Sequence, residues 1–273
     1  MGIRQLSRST LFPYLVGVIS LIASIKLAGA VNPSLPQIKT IKPGHLIVAT
    51  YFTNPPFEYL ENDREIGFEV DLIKEIAKRL NLTIEFKNTQ WETIIAALKK
   101  NQYDLIMGAI TITPDRKKII AFSEPYMTTT LSVIINKDKT PQIKSLTDLH
   151  DTIVGVQAAT TDYDVAVKMQ KKQEIKGIKI YSFKDFAIAI NDLLAGKVGA
   201  VMKVFPVAYY YVEHHPELKI LAPVPNDPQP LGFGFNQNNK ELINAVNRIQ
   251  SDMQKDGSYN VIYQRWFGDK TEK

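Results

Sequence analysis

Cysteine is missing altogether from the 273 residues, which excludes a disulfide, a cysteine nucleophile and the lipidated N-terminal cysteine of a bacterial lipoprotein. An oxidising compartment is therefore permitted but not demanded. A large excess of charge is also lacking. The formal net charge is +5, from 33 Lys and Arg against 28 Asp and Glu. Three of those basic residues, Arg4, Arg8 and Lys26, fall in a leading stretch without acids, which leaves 30 basic against 28 acidic residues in the remainder. So even a balance does not suggest a nucleic-acid binder, whose basic residues form a stripe or patch. Histidine is scarce, with four in the chain, and the isolated pair His214-His215 makes no metal site. There is no G-x-S-x-G elbow, and Gly232-Phe233-Gly234 is only a fragment of a glycine pattern, better read as a strand.

The N-terminus carries a secretory pattern. Arg4 and Arg8 form a basic segment, Leu11–Ile25 an apolar core, and Ala28-Gly29-Ala30 offers small residues for cleavage. Residues 1–30 are read as a cleaved signal peptide, with an uncleaved membrane anchor as the alternative; Lys26 leaves the apolar run short of a comfortable span. The product is then expected in the periplasm, or outside a cell that has no outer membrane. Residues 31–43, with Pro33, Pro36 and Pro43, read as a linker.

From there strand and helix patterns alternate. His45–Thr50 is an apolar strand. Gly67–Leu80 has Leu72, Ile73, Ile76, Ala77 and Leu80 on one helical face, with Glu75 and Arg79 paired at i,i+4. Leu82–Phe86 alternates like a strand, and Thr89 to Glu92 reads as a capping box opening a helix through Leu98. Asp104–Ile110 is the next strand, and Thr113-Pro114 supplies a cap and first-turn proline. The second half repeats the theme: strands at Ile153–Val156, Lys179–Tyr181, Val198–Met202 and Lys219–Ala222 alternate with helices at Thr161–Gln173, from Ser182–Asp185 to Ala195, and from Phe205-Pro206 to His215. Such alternation predicts an α/β architecture with mainly parallel sheets. Two proline-rich or polar crossings, Asn136–Gln142 and Pro223–Pro230, imply that the chain leaves a first lobe, builds a second and returns. The expected division is a first lobe of residues 44–133 plus 232–273, a second of 138–224, and hinges near 134–137 and 225–231.

Several segments resemble the polar-amino-acid family of extracellular solute-binding proteins, in order and spacing over about residues 44–268. They are Pro55-Pro56-Phe57-Glu58, Gly67-Phe68-Glu69-Val70-Asp71-Leu72, Ile112 to Lys118, Phe122-Ser123-Glu124-Pro125-Tyr126, Lys144 to Leu149, Gly155-Val156-Gln157 with Thr160-Thr161, and Asp256-Gly257-Ser258-Tyr259 with Trp266-Phe267-Gly268. The resemblance implies the two-lobed periplasmic-binding-protein fold (type II), in which each lobe is a mainly parallel sheet flanked by helices and two hinge strands join them. It further implies cleft closure on a small carboxylate ligand, foremost an amino acid, and delivery to an ABC permease. A monomer without cofactor, metal or catalysis is expected. A sensor read by a separate receptor is one alternative; an enzyme like the cyclohexadienyl dehydratases, which share this fold, is another.

The same resemblance assigns the candidate binding residues. Arg116, closing the segment Thr111-Ile112-Thr113-Pro114-Asp115-Arg116, matches the arginine that grips the ligand's α-carboxylate, a task suited to a planar, two-pronged donor. Ala109 offers a carbonyl to the amine, and Thr111 polar contacts. Thr161 opens a helix whose leading amides and dipole take the other side of the carboxylate. Trp91 and Tyr51 fall where walls of the pocket are placed. The pattern breaks at Gly196 to Pro206: Val204 stands where the family has the aspartate that takes the α-amine, Lys203 precedes it, and Tyr51 sits where several members carry an acid. Asp162 is the nearest substitute acid. Alternatively the ligand is richer in negative charge or has no amine, and Lys203 pairs with it; otherwise Lys203 is an ordinary exposed lysine.

Overall fold

A computed structural model describes residues 38–268. The expected signal peptide, the first half of the expected linker and the last five residues lie outside the described residues. In chain order, β1 (His45–Thr50) is followed by a small antiparallel sheet of β2 (Thr53–Asn54), β3 (Glu58–Glu61) and β4 (Arg64–Ile66). Next come α1 (Phe68–Arg79), β5 (Thr83–Asn88), α2 (Trp91–Lys99), β6 (Leu105–Ile106), α3 (Pro114–Lys117) and β7 (Ala121–Phe122). A long strand, β8 (Met127–Asn136), leads to β9 (Ile153–Gln157), α4 (Thr161–Lys171), β10 (Gly177–Tyr181), α5 (Phe186–Leu194), β11 (Ala200–Val204) and α6 (Phe205–His214). A second long strand, β12 (Leu218–Leu231), returns to β13 (Gly234–Phe235), α7 (Lys240–Lys255) and α8 (Ser258–Trp266).

Two five-stranded sheets result, ordered β5-β1-β6-β13-β7 and β10-β9-β11-β8-β12. Each is mixed in the same way: four strands run one way and one, β13 or β8, runs against them. This is the α/β, two-lobed plan read from the sequence.

The first lobe's core explains several of the recurring segments. Phe57, Phe68, Phe233 and Phe235 are fully buried. The Phe68 ring meets Phe267 at 5.0 Å and Tyr126 at 5.9 Å between centroids. Polar pins then hold α8 on α1. Asp71 accepts from Arg265 (2.7 Å) and from the Trp266 indole (2.9 Å), while Arg79 donates to Asp256 (2.6 Å) and to Ser258 Oγ (2.8 Å). One sequence segment, Gly67 to Leu72, thus supplies a core ring and a helix pin.

Four local expectations are corrected. The hinge set near 134–137, at the start of the Asn136–Gln142 crossing, falls inside the second sheet, where Leu131 to Ile135 pair with Val204 to Ala200 of β11. Asn136 starts a turn within that lobe, its side-chain oxygen accepting from the amides of Asp138 and Lys139. The strand expected over Asp104–Ile110 ends at Ile106, because Gly108 and Ala109 take φ values of 141° and 49° that no strand can hold. The capping box at Thr89–Glu92 does not form: α2 has no side-chain cap, Thr89 accepts from the Tyr103 hydroxyl, and Glu92 accepts from the Phe183 amide. Finally, β11 covers Ala200–Val204 rather than 198–202, and all five residues are buried.

Candidate functional site

Where β6 ends, the chain must turn sharply, and a buried carboxylate makes the turn possible. Glu69 Oε2 accepts from the amides of Gly108 and Ala109, both at 2.9 Å, and its Oε1 accepts from the Tyr126 hydroxyl at 2.6 Å. Burial raises the Glu69 pKa while these donors and its neighbour Glu58 pull it down. Glu58 is fully buried, and neither of its oxygens finds a donor. Burial first, and the Glu69 carboxylate second, lift its pKa well above the ordinary 4.5. The pair therefore favours holding a proton, with Glu69 the one supplied with hydrogen-bond donors by the protein.

Beyond this turn stands Arg116. Thr113 Oγ1 caps its short helix by accepting from the Arg116 amide (3.2 Å), and Pro114 occupies the first turn as expected. The guanidinium donates Nη1 to the Thr111 carbonyl (2.9 Å) and Nη2 to the Ala159 carbonyl (3.1 Å), thereby joining a residue of the first lobe to one of the second. Burial lowers its pKa and the nearby Asp164 and Asp162 oppose that shift; an arginine remains charged regardless.

The second lobe faces it with the start of α4. Thr160 is the cap: its Oγ1 accepts from the Tyr163 amide (3.4 Å) and donates to the Gln157 carbonyl (2.6 Å). Thr161 and Asp162 form the first turn, so their amides and the positive end of the helix dipole point toward the cleft. Asp162 is 2% exposed and its Oδ2 accepts from the Gln157 amide at 3.2 Å.

A narrow chamber of about 20 Å³ lies between these groups, lined by Asn54, Trp91, Gly108, Ala109, Thr111, Arg116, Thr160, Thr161, Asp162, Phe183, Lys203 and Val204. That volume holds about one water, too little for a larger solute in this arrangement of the lobes. Contacts across the cleft hold it shut. The Trp91 and Phe183 rings stack at 4.4 Å with 16° between planes, and the Trp91 indole donates to the Ala159 carbonyl at 3.3 Å. The hydroxyls of Thr111 and Thr161 each donate to Gln229 Oε1 at 2.8 Å.

Of the residues singled out from the sequence, Arg116, Thr111, Ala109, Thr161, Trp91, Asp162 and Lys203 converge on this chamber. Tyr51 does not line it; it packs at the edge of the cluster formed by Ala49, Trp91 and Ile94. The reading of Lys203 as an exposed lysine is corrected, since it is 4% exposed and its ammonium donates to Gln157 Oε1. Asn54, Phe183 and Gln229 were not anticipated. Phe183 reads in sequence as the start of a helix, and Gln229 is hidden between prolines; neither signals that a second lobe will face it.

No helix among the described residues is long and apolar enough to cross a membrane, and among them no group of three or more His, Cys, Asp or Glu is placed to hold a metal ion.

Two sheets joined by paired strands, with a polar chamber between them, define a two-lobed ligand-binding protein. The chain belongs to the bacterial extracellular solute-binding proteins, family 3, which it matches over residues 46–269. It is similar to the L-cystine-binding protein TcyJ of Escherichia coli (strain K12), 27% identical with 98% of each chain covered. It is also similar to the L-cystine-binding protein TcyA of Bacillus subtilis (strain 168), 30% identical over 85% of this chain and 84% of that one. Among solved structures, an ancestral arginine-binding protein bound to arginine is 36% identical, with a TM-score of 0.76 over 82% of this chain and 99% of the other.

Proposed function

We propose that the protein binds an amino acid in the chamber between its lobes, outside the cytoplasmic membrane, and presents it to an ABC permease. Arg116 and the leading turn of α4 take the ligand's α-carboxylate from opposite sides, with Thr111 and Thr161 adding hydroxyl donors. The observation that carries this reading is the position of the Arg116 guanidinium, which bridges the Thr111 and Ala159 carbonyls beside the start of α4. Carbonyls are weaker partners for a guanidinium than a carboxylate, so an arriving carboxylate displaces them and keeps the two lobes coupled. Asp162 takes the α-amine in place of the acid that Val204 replaces, and Trp91 and Phe183 cover the ligand's aliphatic stem. The relatives named above are binding proteins for L-cystine and arginine, which supports an amino acid as ligand and binding rather than catalysis.

The lobes swing about the stretch where β8 and β12 run side by side before entering the second sheet, Met127 to Thr130 paired with Leu231 to Pro228. The register breaks between Pro223 and Pro228, leaving that short ladder as the flexible joint. The protein acts as a periplasmic monomer after removal of its signal peptide.

The test is a thermal-shift screen of the mature protein against the common amino acids and L-cystine. A ligand at about a hundredfold excess over its Kd adds about 2.7 kcal/mol, enough to raise Tm by about 5 °C or more in a chain of this size. At least one amino acid is expected to do so, and Arg116→Ala to abolish the shift. A screen without response overturns the reading.

A further inference from the structure

Lys203 is the charged residue of the chamber that the proposed carboxylate grip leaves unused. It stands in the fully buried strand β11, with its ammonium on Gln157 Oε1 and over the faces of Phe183 and Phe186, 5.0 and 5.2 Å from their ring centres. Among the described residues, no carboxylate lies within ion-pairing distance of it. Two aromatic faces offset only part of what the burial of an ammonium costs. Its pKa is lowered by that burial, with Asp162 and Glu58 acting against the shift from farther off. A group so placed is built to receive an anion.

The charges around the chamber say which anion. Arg116 and Lys203 are its cations and Asp162 its acid; Glu58, the other acid that Lys203 feels, is held toward its neutral form by burial and by Glu69. A simple zwitterion sets its carboxylate on Arg116 and its ammonium on Asp162, which leaves Lys203 unmatched. A cationic side chain would bring a second positive charge against it. We propose that the site selects amino acids bearing a second carboxylate, that Lys203 receives this group, and that cationic amino acids are rejected. The proposal rests on the reading above and names the ligand class within it.

Calorimetric titration of the mature protein with L-glutamate, L-aspartate, L-cystine, L-glutamine, L-arginine and L-lysine tests it, with Lys203→Met alongside. The binding of one of the first three at least about tenfold more tightly than the last three, as one charge-assisted hydrogen bond implies, supports the proposal. So does loss of that preference in Lys203→Met. Binding of L-glutamine, L-arginine or L-lysine more tightly than, or within about tenfold of, the best of the first three overturns the ligand class while leaving amino-acid binding intact. An undiminished preference in a Lys203→Met protein of native Tm overturns the role of Lys203. Absence of binding by all six and by the rest of the amino acids overturns both readings. Should Lys203→Met fail to fold, Lys203→Gln replaces it, and the wild-type panel alone still decides the ligand class.

Discussion

Glu58 and Glu69 meet in the first lobe without an ion-pair partner, the charge of Lys203 opposing the rise of the Glu58 pKa only weakly, and their titration has a consequence for stability. With its pKa raised well above 4.5 by burial and by Glu69, Glu58 in the folded chain keeps a proton that the unfolded chain has already released. The folded state then binds more protons, so stability falls as pH rises from about 4.5 toward the folded value. Glu58→Gln imitates the neutral form. It is expected to match the wild type near pH ~4 and to exceed it in urea melts near pH ~7; parallel stability profiles would count against this. Legibility at this scale followed the spacing of the recurring segments. Arg116, Thr111 and Thr161 sit in such segments and reach the chamber. Lys203, Phe183 and Gln229 depend on a strand's register and on a facing lobe, which no local pattern carries.

At the scale of elements, the turn after β6 shapes the site. Gly108 adopts φ 141°, a region nearly closed to other residues, and a Cβ there would lie 2.6 Å from Cζ3 of Trp91. Gly108→Ala is expected to cost about 1–3 kcal/mol in denaturant unfolding and to shift tryptophan fluorescence as Trp91 leaves its stack on Phe183. Unchanged stability and emission would show that the turn tolerates a side chain. Helices were the readable part of the sequence: the apolar face of 67–80 became α1 over Phe68–Arg79, and the Thr113-Pro114 start became α3. Strand ends were less readable, since the Asp104–Ile110 run is apolar throughout but Glu69 captures two of its amides. The expected cap at Thr89 was lost for a similar reason, as Glu92 serves the Phe183 amide across the cleft.

For the whole molecule, the α/β alternation and the excursion between two lobes could be read from the chain; of the two crossings, the one set at 225–231 overlaps the Pro228–Leu231 ladder with β8, while the one set at 134–137 falls inside the second sheet. Prolines at 223, 225, 228 and 230 suggested a loop, yet much of that stretch pairs with β8 as an edge strand, where a missing amide is tolerated. Closure then rests on a few polar contacts across the cleft and one aromatic stack, contacts that a ligand can replace. The central claim is that one carboxylate couples Arg116 of the first lobe to the start of α4 in the second. A crystal structure of the protein with the amino acid that most raises its Tm tests this directly. The result expected is that carboxylate on the Arg116 guanidinium and the amides at the start of α4. A ligand bound elsewhere, with Arg116 still on the Thr111 and Ala159 carbonyls, would contradict it.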